Sequence, residues 1–407
     1  MMSANRDGIP SVPVAMEPIQ NTGPQGPTDN APGVPARTGW DKKRLAVVAA
    51  ALIVLAIGGA VFAIVLQFSS SHEYRAARQS LEKRDFEAAS RQLREHLKNR
   101  PTDFEVVLLA AQTARRQGEF ADALDFLAAC AKQNADHADL KLERQLLHVQ
   151  KGDLREVDSL LDFCAKHPEA RQTSLILEAV IAGSINRLLA TFTQEKSGQA
   201  EMSVADHQRA LHAVDQWLTI CSSQDDQVQG ALWRGKLFSL ARDYPQSRAE
   251  FRKAVNLDPN HVEARELLGS TLALVDPREA VTHLQFVHEH VPSNTKVSFL
   301  LATAYRAGGQ LDQAAQILDG LLASQPKNVS YLVERGHVAL EQRRPNEAEP
   351  WLQRAVLLSP TYAEANRILS QCLLQLDQPE KSQQYYARFL QLEDEMKRQR
   401  EASKKKS

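Results

Sequence analysis

The 407-residue sequence predicts an all-α chain in three parts: a polar leader, one membrane-spanning helix and a long solenoid of stacked helix-turn-helix repeats. Three observations lead there. Residues 1–43 hold seven of the 18 prolines and five of the 18 glycines, with no apolar period. Leu45 to Leu66 is a run of 22 residues with no charge. From residue 71 onward, small residues, large apolar residues and prolines recur at intervals of about 34.

The leader (1–43) cannot bury enough apolar surface to offset chain entropy and is expected to be disordered. The run Leu45–Leu66, within a span bounded at 45–68, makes about 33 Å of helix against a hydrocarbon core of about 30 Å. Trp40 stands where an interfacial aromatic anchors a span. A cleaved signal peptide is the rival reading, but its charged region would have to include the whole leader. Lys42, Lys43 and Arg44 abut the N-terminal end, whereas the other flank has no Lys or Arg until Arg75. That bias places the leader in the cytoplasm and the body outside it, periplasmic in a bacterium. Gly59 with Ala63, and Ala56 with Ala60, are small-residue pairs on which a second span would pack, making the chain a homo-oligomer.

The repeat is clearest in the C-terminal half. Pro259, Pro292, Pro326 and Pro360 close the segments FRKAVNLDP, LQFVHEHVP, LDGLLASQP and LQRAVLLSP. Twelve residues before each proline stands Ser247, Ala280, Ala314 or Ala348. Four residues later comes Phe251, Leu284, Leu318 or Leu352, and three further on Ala254, Val287, Leu321 or Ala355. These positions share one face of a helix. A preceding helix carries Gly235, Gly269, Ala302 or Gly336, followed by Phe238, Leu272, Tyr305 or Ala339. The turn words RDYPQ, VDPRE, AGGQLD and RRPNE separate the two helices.

This pattern resembles the tetratricopeptide repeat family. The family's small residue at position 8, aromatic at 11, alanine at 20, large apolar residue at 24, alanine at 27 and proline at 32 fall on the residues just named. Leu272 and Ala339 depart from the aromatic position, and Ser247 from the alanine. The resemblance implies a right-handed solenoid whose first helices line a concave groove. The N-terminal half keeps the phase and loses the letters: Ala89, Ala123 and Val157 are 34 apart, as are Leu93, Leu127 and Leu161. Units are expected near 71–102, 103–136, 137–170, 227–260, 261–293, 294–327, 328–361 and 362–395. The domains that follow are degenerate repeats over 71–170, an irregular repeat with a loop insertion over 171–226, regular repeats over 227–395 and a charged tail over 396–407. That tail reads as a solvating cap.

Composition narrows the function. Lys plus Arg number 49 and Asp plus Glu 50, a formal net charge of −1, which argues against a nucleic-acid partner. Aromatics are 6%, too few for a base-stacking surface. Cys130 and Cys164 are 34 apart, so they occupy one small core position in adjacent repeats, not a metal or disulfide motif. His283, His288 and His290 lack ligand spacing, and RGKL at 234–237 lacks the rest of a phosphate loop. No catalytic, cofactor or metal residues are expected, and the chain reads as a non-enzyme.

The resemblance points instead to protein partners, bound as peptide or helix segments, with the lipid bilayer engaged through Leu45–Leu66. Groove positions 5 and 9 nominate Lys236, Glu266, Phe299, Thr303, Val333, His337, Arg367 and Gln371 as the candidate peptide groove. An apolar patch is expected around Phe299 and Val333. The Lys-and-Asn pattern of family members that clamp chaperone tails is absent. The expected role is a membrane-anchored interaction scaffold in envelope assembly, secretion or folding quality control. The alternatives are a soluble exported binding protein or the targeting subunit of an enzyme complex.

Overall fold

The computed structural model describes residues 72–194 and 204–404, so the expected leader and the span at 45–68 lie outside the described residues. The described residues form eighteen helices and no strand. They run as antiparallel pairs. The first pairs are α1 (72–82) with α2 (Phe86–Asn99), α3 (Phe104–Gln117) with α4 (Phe120–Gln133), and α5 (Ala138–Gln150) with α6 (Val157–Lys166). The irregular pair is α7 (Arg171–Gln194) with α8 (Val204–Ile220). Then come α9 (Gln224–Leu240) with α10 (Tyr244–Leu257), α11 (Val262–Leu272) with α12 (Pro277–His290), and α13 (Thr295–Ala307) with α14 (Leu311–Ser324). The last are α15 (Val329–Glu341) with α16 (Pro345–Leu358) and α17 (Ala363–Gln375) with α18 (Pro379–Lys404). Most helices pack chiefly on their neighbours in sequence, with α5 set mainly against α7, which makes an all-α solenoid.

Local chemistry starts and stops these helices. Three second helices are capped by aspartates whose carboxylates accept a backbone N–H: Asp85 from Ala88, Asp243 from Gln246 and Asp276 from Glu279. Asn294 and Asn328 do the same for α13 and α15, and Ser223 forms a capping box with Asp226 at α9. The residue just before the second-helix cap is left-handed in most units: Arg84 (φ 55°), Gly118, Arg242 (62°), Gly309, Arg343 (60°) and Asp377 (53°). The unit with Pro292 omits this residue, which is why its proline spacing is 33 and not 34: its turn reaches the Asp276 cap directly after Leu274 and Val275.

The small residues at position 8 have a packing cause. A Cβ on Gly235 would strike the Phe251 ring, and one on Gly336 the Leu352 side chain. Position 8 of the first helix and position 24 of the second thus meet at the pair's closest approach. From Val228 to Leu373 the apolar residues form one continuous core, whereas the N-terminal pairs divide theirs among three smaller clusters. In the third unit Leu160 is the more deeply buried residue and Leu161, expected at that position, is half-buried. The segment Arg171–Ala190 of α7 is apolar and long enough to cross a membrane, but Ile176, Leu177, Val180 and Ile181 are core residues packed on α5, α6 and α8.

Candidate functional site

First helices α9, α11, α13, α15 and α17 carry the nominated groove residues, and three of these, Lys236, Glu266 and Phe299, are tied to the neighbouring unit. Lys236 Nζ sits 2.7 Å from Glu263 on the next first helix. Glu266 accepts a hydrogen bond from Asn294 at 3.3 Å. The rings of Phe299 and Tyr331 lie 5.1 Å apart. Thr303 turns its hydroxyl back to the Leu300 carbonyl at 2.8 Å. Arg306 spans two acids on α15, Glu334 at 2.6 Å and Glu341 at 2.7 Å. His337 lies 3.4 Å from Glu341, and burial together with Arg306 lowers its pKa. Arg367 pairs with Glu364 of its own helix at 2.5 Å, and Gln371 is exposed.

Val333 does not join this surface. It is 4% exposed and belongs to the core with Tyr331 and Leu332, because α15 turns position 5 inward there. The expected apolar patch therefore reduces to Phe299, half-buried against Tyr331. Leu232, the position-5 residue of α9, is fully buried for the same reason. The three histidines of α12 act separately: His288 shares a hydrogen bond with Ser298 at 2.9 Å, His290 stacks on Phe286 at 3.9 Å, and His283 faces Glu279.

A second concave surface lies in the N-terminal half. First helices α1, α3, α5 and α7 enclose a cavity of about 310 Å³. Its apolar lining is Tyr74, Leu81, Leu108, Leu109, Leu142 and Leu175, and its charged lining includes Arg78, Glu82, Glu105, Asp139 and Arg171. The nominated residues all lie outside it. The letters that mark repeats are degenerate here, so position counting in the C-terminal half missed this cup.

Beneath the cup sits a buried charge cluster. Glu178 of α7 receives a two-pronged pair from Arg116 at 2.8 and 2.7 Å and a third hydrogen bond from Arg84 at 3.1 Å. Burial alone would raise the Glu178 pKa, but the two guanidiniums outweigh it and pull it down to about 2. Next to it Arg115, fully buried, pairs with Glu143 and donates to Gln150 at 2.7 Å. Such residues are legible only as oddities, arginines at turn and core positions, since their partners lie 28 to 94 residues away.

Among the described residues, no group of three or more His, Cys, Asp or Glu side chains is placed to hold a metal. The chemistry on offer is recognition: apolar anchors flanked by oriented charges along successive first helices.

Comparison with known families agrees with the repeat geometry. Residues 271–334 match one tetratricopeptide repeat model, and residues 74–138 and 333–395 match another. Solved structures similar to this one include YrrB, described as a TPR protein with an unusual peptide-binding site, at 18% identity, covering 51% of this chain and 96% of that one, TM-score 0.40. MamA is similar at 16% identity, over 40% of this chain and 96% of that one, TM-score 0.36. So is a thermophilic TPR protein of Thermus thermophilus, at 21% identity, over 42% of this chain and 91% of that one, TM-score 0.33. No curated protein matches the sequence.

Proposed function

We propose that this tetratricopeptide-repeat chain is a membrane-anchored scaffold that holds segments of partner proteins on the concave face of its first helices. The observation that carries the reading is the run of side chains along α9 to α17. There the half-buried aromatic Phe299 is flanked by the oriented charges of Lys236, Glu266, Arg306 and Arg367 and by the His337 ring. An apolar anchor with a charged surround is what an interface needs for affinity and register. Charges already paired along the groove favour a partner with both signs, since a chain of one sign would have to break these pairs.

The anchor rests on Leu45–Leu66 and the orientation on Lys42, Lys43 and Arg44. In this reading the leader is cytoplasmic, the array is extracytoplasmic, and the partners belong to envelope assembly, secretion or folding quality control. Protease protection of a C-terminal tag in intact and permeabilised spheroplasts tests the topology. Digestion in intact spheroplasts is expected, and protection until permeabilisation would reverse the orientation. A mature N-terminus near residues 61–64 would replace the anchor with a cleaved signal. For the groove, Phe299→Ala with Arg367→Ala should weaken partner capture while leaving helicity and melting intact. Unchanged capture would move the binding face elsewhere.

A further inference from the structure

The first helix pair is thinly held by apolar packing. Its fully buried apolar side chains are Ala77, Ala89 and Leu93, and the core it shares with the second pair adds Val106 and Ala110 and the half-buried Tyr74, Leu97, Leu109 and Phe126. Two alanines and a leucine bury little surface compared with the continuous C-terminal core. Near contacts add to this, Arg94 with Asp122 of α4, His96 with Asp103 at 3.5 Å and Arg116 of α3 over the Phe86 ring at 4.4 Å, but the farthest-reaching one is polar. Arg84, in the α1–α2 turn, has an 11% exposed side chain whose guanidinium bypasses α3 to α6. It lies 3.1 Å from Glu178 on α7 and 3.8 Å from Asp226 on α9. The same group stands over three rings, 5.2 Å from Trp217, 5.5 Å from Trp233 and 5.3 Å from Phe86.

Arg84 also occupies a backbone position that suits glycine better. Its φ is 55°, and the equivalent turn in the next unit uses Gly118. At Arg242 and Arg343 the same position carries an exposed side chain, whereas at Arg84 the side chain is inserted into the aromatic and acidic cluster. The pair also forms one wall of the N-terminal cup, through Tyr74, Arg78, Leu81 and Glu82 of α1.

We propose that the α1–α2 pair is a hinged wall of this cup, bolted shut by Arg84 against Glu178, Trp217 and Trp233. Its hinge is the 100–103 turn before α3. Releasing the bolt swings the pair away and uncovers Leu108, Leu142 and Leu175 without unfolding the repeats beyond. The device is independent of which segment the C-terminal groove takes. A region with few buried apolar contacts opens below the global unfolding free energy, and this pair has few.

Native-state hydrogen exchange of the full chain in sub-denaturing urea tests the proposal, with tryptophan emission as a second readout. In the wild type, amides of 74–99 should exchange through an opening separate from, and easier than, that of 227–395. Arg84→Gln should speed exchange in 74–99 by about 10-fold to 10²-fold, the scale for losing one hydrogen bond to a buried charge while Arg116 keeps its own pair with Glu178. It should also shift the emission of Trp217 and Trp233 to the red, with 227–395 unchanged. Three results would overturn the proposal: wild-type exchange of 74–99 merged with that of 227–395, no change in 74–99 on losing Arg84, or equal acceleration in both regions. The first needs no variant, so a variant that fails to fold leaves the proposal falsifiable.

Discussion

One turn position, occupied by three arginines in two kinds of surroundings, permits a prediction of opposite sign within a single protein. Arg242 and Arg343 adopt φ of 62° and 60° with exposed side chains. A non-glycine residue in this conformation costs about 1–2 kcal/mol, partly offset by the extra freedom glycine brings to the unfolded chain, about 0.4–1 kcal/mol. Arg242→Gly and Arg343→Gly should therefore each stabilise the fold by about 0.5–1 kcal/mol. The two turns share no partner, so the double variant should gain about 1–2 kcal/mol. Arg84 has the same backbone strain at 55°, but its side chain is paired with Glu178 and stands over three rings. Glu178 keeps its two-pronged pair with Arg116, so losing Arg84 removes one hydrogen bond to a buried charge together with the ring contacts, about 1.5–3 kcal/mol, which exceeds the relief of strain. Arg84→Gly should then destabilise by about 1–2 kcal/mol. Urea unfolding followed by helical circular dichroism, with hydrogen exchange to localise the change, reads all three. A stabilising Arg84→Gly would mean the cluster contributes nothing net. A destabilising Arg242→Gly would mean the left-handed turn carries no strain.

Three further outcomes can be checked. Gly235→Ala and Gly336→Ala should each cost about 1–3 kcal/mol by driving a methyl into Phe251 or Leu352. Gly320→Ala, where an added methyl meets open space, should gain up to about 1 kcal/mol, and urea titration separates the two cases. Glu178 is held at about 2 when folded against an ordinary 4.5, so its stabilisation is complete above about pH 4.5 and is lost as pH falls toward 2. That loss amounts to about 3 kcal/mol, and Glu178→Gln should flatten the acid limb of stability in this window while lowering stability at neutral pH. Finally, burial pushes the thiols of Cys130, Cys164, Cys221 and Cys372 up to about 11, so iodoacetamide at neutral pH should label them only after denaturation. Mass spectrometry showing a Cys130–Cys164 disulfide would contradict the free thiols of the folded chain.

The helix pairs were legible because each repeat's core is made by residues a few positions apart and by their copies 34 residues on. Ala280, Leu284 and Val287 form a helix face that recurs, and the packing of Gly269 on Leu284 recurs with it. Groove membership was less legible, because position 5 lies near the boundary between core and surface. Val333 is buried in the core, whereas Phe299, at the same position one unit earlier, stays half-exposed. A periodic count assigns both residues the same surroundings.

The Arg84 cluster was illegible for a different reason. Nearest-neighbour packing leaves a trace at the repeat period, since each copy must satisfy the same geometry. A contact between units three and four apart is made once and so has no period. Arg84, Glu178, Trp217 and Trp233 come from four separate elements; Arg84 has the same letter as Arg242 and Arg343 at its turn position, and the others are marked in sequence only as exceptions, a glutamate inside an apolar helix and tryptophans in and beside the irregular unit. The exceptions cluster in space because each removes the cost of another: the buried carboxylate requires the guanidiniums, and the guanidinium inside the core requires the rings and the acid. In a solenoid, departures from the repeat are therefore the places to look for contacts that the repeat itself does not specify.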